Sequence, residues 1–327
     1  MTRKQKILRG IDTRSAKGLE FGPLDRPIVT RADGDIAYVD LMDADALRAR
    51  YARDLSIASE NIVAIDFVQG DRSVVESVGA AAPFDYAVAS HVFEHVPNPI
   101  EWLRDVGAVL RPGGKLALAL PDKRFIFDRR RRTTTFDRML DIYAFKLKRA
   151  TPGVIYDAIA NHAGFGKPAQ VWAGDPTIDL APLNGADSAF AIAMANLNSG
   201  QAVEVHCSVF TPYSFLENLT AMMRHGLIDL ELDSFQTTAI ADMEFFVTLR
   251  KLPPDLADRD RRSRMLASVS DNDVAARIMA APEDNFIFSF SGLPLRYRVV
   301  DAIYNAAVWL PRRLRRAISK QSGKPPV

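Results

Sequence analysis

Between Lys17 and Pro121, short apolar runs alternate with stretches whose apolar residues recur every three or four positions. That alternation predicts a parallel sheet wound with helices. The runs Gly18 to Phe21, Ile36 to Val39, Ile62 to Ile65, Tyr86 to Ala89 and Lys115 to Leu120 read as its strands. Ile100, Leu103, Val106 and Leu110 share a helical face, and the RPGG from Arg111 to Gly114 should stop that helix. After Pro121 the alternation lapses through an arginine run and a Gly/Asn/Asp-rich stretch around Ala173 to Asp187. We read this region, about 123–206, as an insertion on the substrate side. Order returns at FTPYSFLENLTAMMRHG, where Thr211 can cap, Pro212 suits the first turn, Phe215, Leu219 and Met222 share a face and Gly226 can end the helix. Leu227 to Phe235 and Met243 to Arg250 then read as an antiparallel pair at the sheet edge. Pro253 and Pro254 mark a boundary before a helical, charged stretch. The pattern thus predicts a doubly wound, Rossmann-like α/β domain over 17–251, a basic segment over 1–16 and a helical basic C-terminal extension over 252–327.

Composition narrows the picture. A chain of 327 residues buries a sizeable core without staples, and its single cysteine, Cys207, allows no internal disulfide. A reducing compartment fits, and the expected location is cytoplasmic. No run approaches the roughly 20 apolar residues of a membrane span, and MTRKQKILRG is not followed by an apolar signal core. The net charge of +2 gives no case for a nucleic-acid partner. Basic residues instead gather before Lys17, in Arg129 to Arg132 behind Asp128, and from Arg296 to Lys324. The central run reads as a solvated face, with contact to a phosphate or sugar nucleotide as the alternative. The last group, within Leu295 to Lys320, predicts an amphipathic basic helix broken at Pro311. It either packs on the domain or lies on an anionic membrane at its inner face.

In open parallel sheets ligands bind at the carboxyl ends of the strands, so residues there carry the most weight. Glu20 and Gly22 follow the first strand, Asp40 ends the second and Asp66 the third. Gly22 permits close backbone approach, and the Asp40 carboxylate suits vicinal ribose hydroxyls. A strand-end Asp is as often a cap or turn former. The stretches GLEFGPLDRP, AYVDLMDADAL, AIDFVQGD and above all FDYAVASHVFEHVPNPIEWLRDVGAVLRPGGKLALALPD resemble the class I S-adenosylmethionine-dependent methyltransferases of the type 11 kind, over about Lys17 to Asp122. The resemblance implies S-adenosyl-L-methionine as cofactor. It implies that Glu20, Gly22 and Pro23 border its methionine and ribose, that Asp40 and Leu41 hold the ribose, that Asp66 and Phe67 border adenine and that Ser90 and His91 close the site. Pro23-Leu24 stands where the family often has a further glycine, which stiffens the loop.

A nicotinamide dehydrogenase would use the same sheet, but GLEFGPLDRP lacks the G-x-G-x-x-G fingerprint. A non-catalytic scaffold that kept the fold is the other alternative. Methyl transfer needs alignment and exclusion of water more than covalent help. Where the acceptor is a hydroxyl, a base must take its proton, and His95 and His206 are the candidates. The bland alternative is that these histidines are packed structural residues. HVFEH also suggests a metal site, but its Glu94 sits at another offset than in H-E-x-x-H and no third ligand is evident, so none is expected. Asp122, Lys123 and Arg124 leave the fifth strand toward the acceptor, and Trp102, Phe125, Phe127 and Phe136 read as core. ASHVFEHVPNPIEWL, LALPDKRFIFD and VFTPYSFLENL resemble bacterial methyltransferases of surface-polysaccharide biosynthesis, which implies a sugar or related small acceptor methylated on oxygen.

Overall fold

The computed structural model describes residues 1–164, 166–172, 178, 181–199 and 203–280, so the expected amphipathic element from Leu295 to Lys320 lies outside the described residues. Residues 1–280 pack as one unit. Its elements are α1 (Arg3–Ile7), β1 (Gly18–Phe21), β2 (Ile36–Asp40), α2 (Ala44–Tyr51), β3 (Phe67–Val68), α3 (Val74–Val78), β4 (Phe84–Ser90), α4 (Pro99–Val109) and β5 (Leu110–Pro121). There follow α5 (Phe136–Ala144), α6 (Pro152–Ala160), α7 (Pro168–Trp172), α8 (Ala186–Ser199), α9 (Pro212–Arg224), β6 (Leu230–Gln236), β7 (Glu244–Lys251), α10 (Asp258–Ser270) and α11 (Asp273–Met279).

The seven strands form one sheet in the order β3-β2-β1-β4-β5-β7-β6. β1 to β5 run parallel, while β7 lies antiparallel to both β5 and β6. The order reverses between β1 and β4, which opens a crevice at their carboxyl ends. Side chains alternate between the two faces with the period of a strand. Leu116, Leu118 and Leu120 of β5 join Phe245, Val247 and Leu249 of β7 in one core, beneath Leu103 and Val106 of α4 and Leu219 of α9. Ala117, Ala119 and Phe246 face the other core with Tyr38, Tyr86 and Ile7 of α1. The basic N-terminal residues are therefore part of this unit: Ile7 is 1 % exposed and Lys6 pairs with Asp242.

The caps of α9 are those expected, Thr211 accepting from the Ser214 amide with Pro212 in the first turn. Three expectations change. Ile62 to Ile65 is not a strand: the Val63 amide donates to the Leu24 carbonyl, and pairing with β2 begins only where the Asp66 amide donates to Tyr38 and Phe67 meets Val39. That apolar run packs against the loop after β1 without joining the ladder. Arg111 to Gly114 does end the helix, but as a bulge within β5 opposite Phe84 to Tyr86. A side chain at Gly114 would meet the Arg111 carbonyl oxygen at 2.8 Å. The insertion is largely helical where described, with α5 to α8 built on buried residues such as Met139, Ile155 and Ala193. Among the described residues no helix is long and apolar enough to cross a membrane.

Leu103 is fully buried between the sheet and its covering helices. We expect Leu103→Ala to lower unfolding free energy by about 2–5 kcal/mol, the range for emptying such a site. Urea denaturation should show a lower midpoint at unchanged slope.

Candidate cofactor and acceptor site

At the reversal point the chain leaves β1 through Gly22, which has φ of +59°, and a side chain there would sit 2.9 Å from Val92 Cγ2. Glycine is therefore needed where the β1 and β4 loops close on each other. Pro23 is buried and Leu24 also takes a positive φ. Glu20 is 2 % exposed, and its two oxygens accept from the Ile28 and Val29 amides at 2.6 and 2.9 Å. Burial pushes its carboxyl up to about 7 against the pull of those amides. Glu20 thus shapes the loop beyond β1. Asp66 is similarly engaged, accepting from the Tyr38 amide and from Arg31, and Phe67 packs against the larger core.

Ser90 and His91 end β4 at the same edge. Ser90 Oγ accepts from Arg3, whose guanidinium also grips both oxygens of Glu244 at the start of β7. His91, at φ of +54°, brings Nε2 to 2.9 Å from Glu244 and Nδ1 to 3.5 Å from Glu94. Burial opposes protonation of His91, but the Glu244 bond and the Glu94 charge raise its pKa. Burial likewise opposes ionisation of Glu244, yet bonds from His91 and Arg3 draw it down to about 2. Sequence patterning carried no sign of Arg3 or Glu244, because their meeting depends on α1 packing against β7.

Beside this edge lies a cavity of about 620 Å³. Ligand cavities commonly span about 300–1,000 Å³. Asp40 and Leu41 line it, followed by Gln69 to Ser73, His95 to Asn98 and Trp102. The insertion supplies the facing wall through Leu147 to Ala150 and Val203 to Val205. Of the expected cofactor residues only Asp40 and Leu41 line this cavity; Glu20, Gly22, Pro23, Asp66, Phe67, Ser90 and His91 do not. Asp40 accepts from the Leu41 amide at 2.7 Å, and burial raises its carboxyl to about 6, with nearby Glu204 adding to the rise and Arg50 opposing it. Glu204 in turn takes hydrogen bonds from Arg50 at 2.7 Å and from the Tyr51 hydroxyl at 3.1 Å. A half-desolvated carboxylate on a cavity wall of this size fits a nucleoside whose ribose hydroxyls donate to it.

The two candidate bases meet. His95 lines the cavity, and its ring lies edge-on to His206 with centroids 4.6 Å apart. His206 sits between the cavity-lining Val205 and Cys207, and the Ser208 amide donates to the Glu94 carbonyl, fastening the two segments together. Behind His206, Asp128 lies 2.5 Å from Nδ1. Asp128 is 1 % exposed, Arg131 2 %, and Arg131 bridges Asp128 to Asp157 of α6. Burial would raise the Asp128 carboxyl, but His206 and Arg131 lower it below its ordinary value. Burial lowers the pKa of His95. The arginine run is consequently not a solvated face: Arg130 and Arg132 are exposed, but Asp128 and Arg131 are interior. The odd acid ahead of four arginines was the one sequence signal for it. Asp122 does not reach toward an acceptor either. It is fully buried, bonded to Arg124 and to the Thr238 hydroxyl.

Residues 5–162, just under half of the chain, match the family model described as methyltransferase domain. No curated protein matches. Similar solved structures include the glycopeptide N-methyltransferase MtfA with sinefungin, at 15 % identity, covering 36 % of this chain and 53 % of that one, with a TM-score of 0.26. The present chain thus spans about half of that enzyme's length. The StiE O-methyltransferase segment is 13 % identical over 82 % of this chain and 79 % of its own, with a TM-score of 0.36. The N-methyltransferase NodS from Bradyrhizobium japonicum is 10 % identical over 77 % and 95 %, with a TM-score of 0.33. At these values they add nothing on the acceptor.

Two measurements follow for the donor side. Asp40→Ala should weaken S-adenosylmethionine binding by about 1.5–3 kcal/mol, the range for hydrogen bonds to a charged group; equal affinity in a folded variant, by calorimetry, would remove Asp40 from the site. Because ribose hydroxyls need the ionised acceptor, affinity in the parent should fall as pH drops through about 6, and Asp40→Asn should flatten that step. Residues 5–162 are thus similar to the methyltransferase-domain family, on a sheet whose strand order reverses between β1 and β4.

Proposed function

We propose that the protein transfers the methyl group of S-adenosylmethionine to a hydroxyl oxygen of a sugar or related small acceptor, with His95 and His206 acting on that hydroxyl. The observation that carries this reading is the meeting of two imidazoles distant in sequence, His95 on the cavity wall and His206 against it, with Asp128 behind His206. An alcohol is a weak nucleophile until its proton is drawn away, and a supported imidazole is suited to that task. The ionised Asp128 accepts from Nδ1–H of His206, which leaves Nε2 as the nitrogen able to take a proton and steadies the ring if it does. The bound donor supplies an electrophilic sulfonium methyl. The remaining work of the chain is alignment and exclusion of water, for which the insertion's wall over the cavity is placed. A sugar is favoured by the polar rim of that cavity, with Arg50, Lys148 and Glu204, and by the resemblance of ASHVFEHVPNPIEWL and VFTPYSFLENL to surface-polysaccharide methyltransferases.

The acceptor is found by incubating the protein with methyl-labelled donor and a cell extract, and an ether-linked methyl on a glycan is the expected product. With that acceptor, His206→Asn should reduce turnover by about 10²–10⁴-fold while donor affinity holds, because proton removal belongs to the chemical step alone. Full turnover in the His95→Gln/His206→Asn double variant would reject the role of the pair.

A further inference from the structure

We infer that Glu94, His95 and His206 hold a divalent cation of the zinc, cobalt and manganese class at the acceptor end of the cavity. One ligand atom from each lies within 4.8 Å of the other two. Two imidazoles and a carboxylate form a set that such ions bind with positions left open for another oxygen. The sequence paired His91 with His95 around Glu94 and offered no third ligand; in the fold His91 bonds Glu244, and His206 joins Glu94 and His95 through the Ser208–Glu94 backbone bond.

Glu94 points to the ligand independently. It is 1 % exposed, and neither of its carboxylate oxygens has a hydrogen-bond partner. His91 Nδ1 lies 3.5 Å from one of them, but its ring is already bonded to Glu244 through Nε2. A buried carboxylate so poorly satisfied costs several kcal/mol unless a cation joins it. His206 is prepared in the complementary sense: Asp128 on Nδ1 fixes the ring and turns Nε2 into the available donor, the carboxylate–histidine arrangement that supports metal ligation. Ligand atoms about 2.0–2.2 Å from a tetrahedral ion stand about 3.4 Å apart, so binding draws the three side chains in by about 1 Å.

Cation binding is independent of the acceptor's identity, whereas its use rests on the hydroxyl reading given above. With the ion bound, both imidazoles act as ligands, and the ion lowers the pKa of a neighbouring acceptor hydroxyl, whose proton passes to water. The histidines then activate the hydroxyl through the cation.

The test uses full-length protein treated with chelator, dialysed and titrated with Co²⁺, followed by visible absorption and calorimetry. One ion per chain is expected, with the absorption bands of histidine-ligated Co²⁺ that disappear on addition of Zn²⁺. Glu94→Gln and His95→Gln should each weaken binding by at least about tenfold, and Asp128→Asn by about 10–100-fold. Absence of saturable Co²⁺ binding overturns the inference, as does equal affinity in Glu94→Gln and His95→Gln variants that keep the parent's circular dichroism. Titration of S-adenosylmethionine into the metal-free protein reads the donor site separately, so a failed cation site is not mistaken for a failed methyltransferase.

Discussion

Charge buried at the carboxyl edge of the sheet must be paired, and the site is organised around that requirement. A parallel sheet covered on both faces leaves its functional groups in a partly desolvated crevice, where an unmatched carboxylate is costly. Arg3 answers Glu244, Glu244 answers His91, and Arg131 answers both Asp128 and Asp157. Glu20 is answered by backbone amides instead of a cation. These pairings join α1, β4, β7 and the insertion at one edge, so the loops that shape the cavity are tied to rigid elements. Asp40, on the cavity wall, is answered only by backbone at the start of its loop, and both carboxylate oxygens of the buried Glu94 lack a hydrogen-bond partner.

The insertion gives the edge its second wall. A strand of the sheet can present residues only from one side, and an acceptor needs contacts from the other. Arg131 reaches Asp157 on α6, while Glu204 reaches Arg50 and Tyr51 on α2. The Arg50–Glu204 pair thus ties the inserted region to α2 beside the cavity. Removing either member of the buried Arg131–Asp128 pair is expected to disturb the fold there more than removing both, because the survivor is left unpaired.

Much of the fold was legible because its signals are local. β1, α4 and α9 announce themselves by two-residue or helical periodicity, with caps at Thr211 and Pro212. Ile62 to Ile65 misled, since an apolar run can be buried by side-chain packing alone while its amides bond outside the ladder. The arginine run misled for the opposite reason: Arg131 is paired both with Asp128 beside it and with Asp157, and only the first partner lies near it in sequence. For the site, Asp40 was legible from its place at the end of β2, and His95 from its place after β4. That His206 would lie against His95, and Asp128 against His206, is a consequence of the insertion's path, which no spacing rule encodes.

The crevice at the carboxyl edge is expected to take S-adenosylmethionine and not a dinucleotide. Calorimetric titration of the full chain with S-adenosylmethionine, and separately with NAD⁺, measures it most directly. Saturable binding of one S-adenosylmethionine per chain, displaced by S-adenosylhomocysteine, is expected, with no heat of binding from NAD⁺. Saturable NAD⁺ binding with no response to S-adenosylmethionine would contradict it.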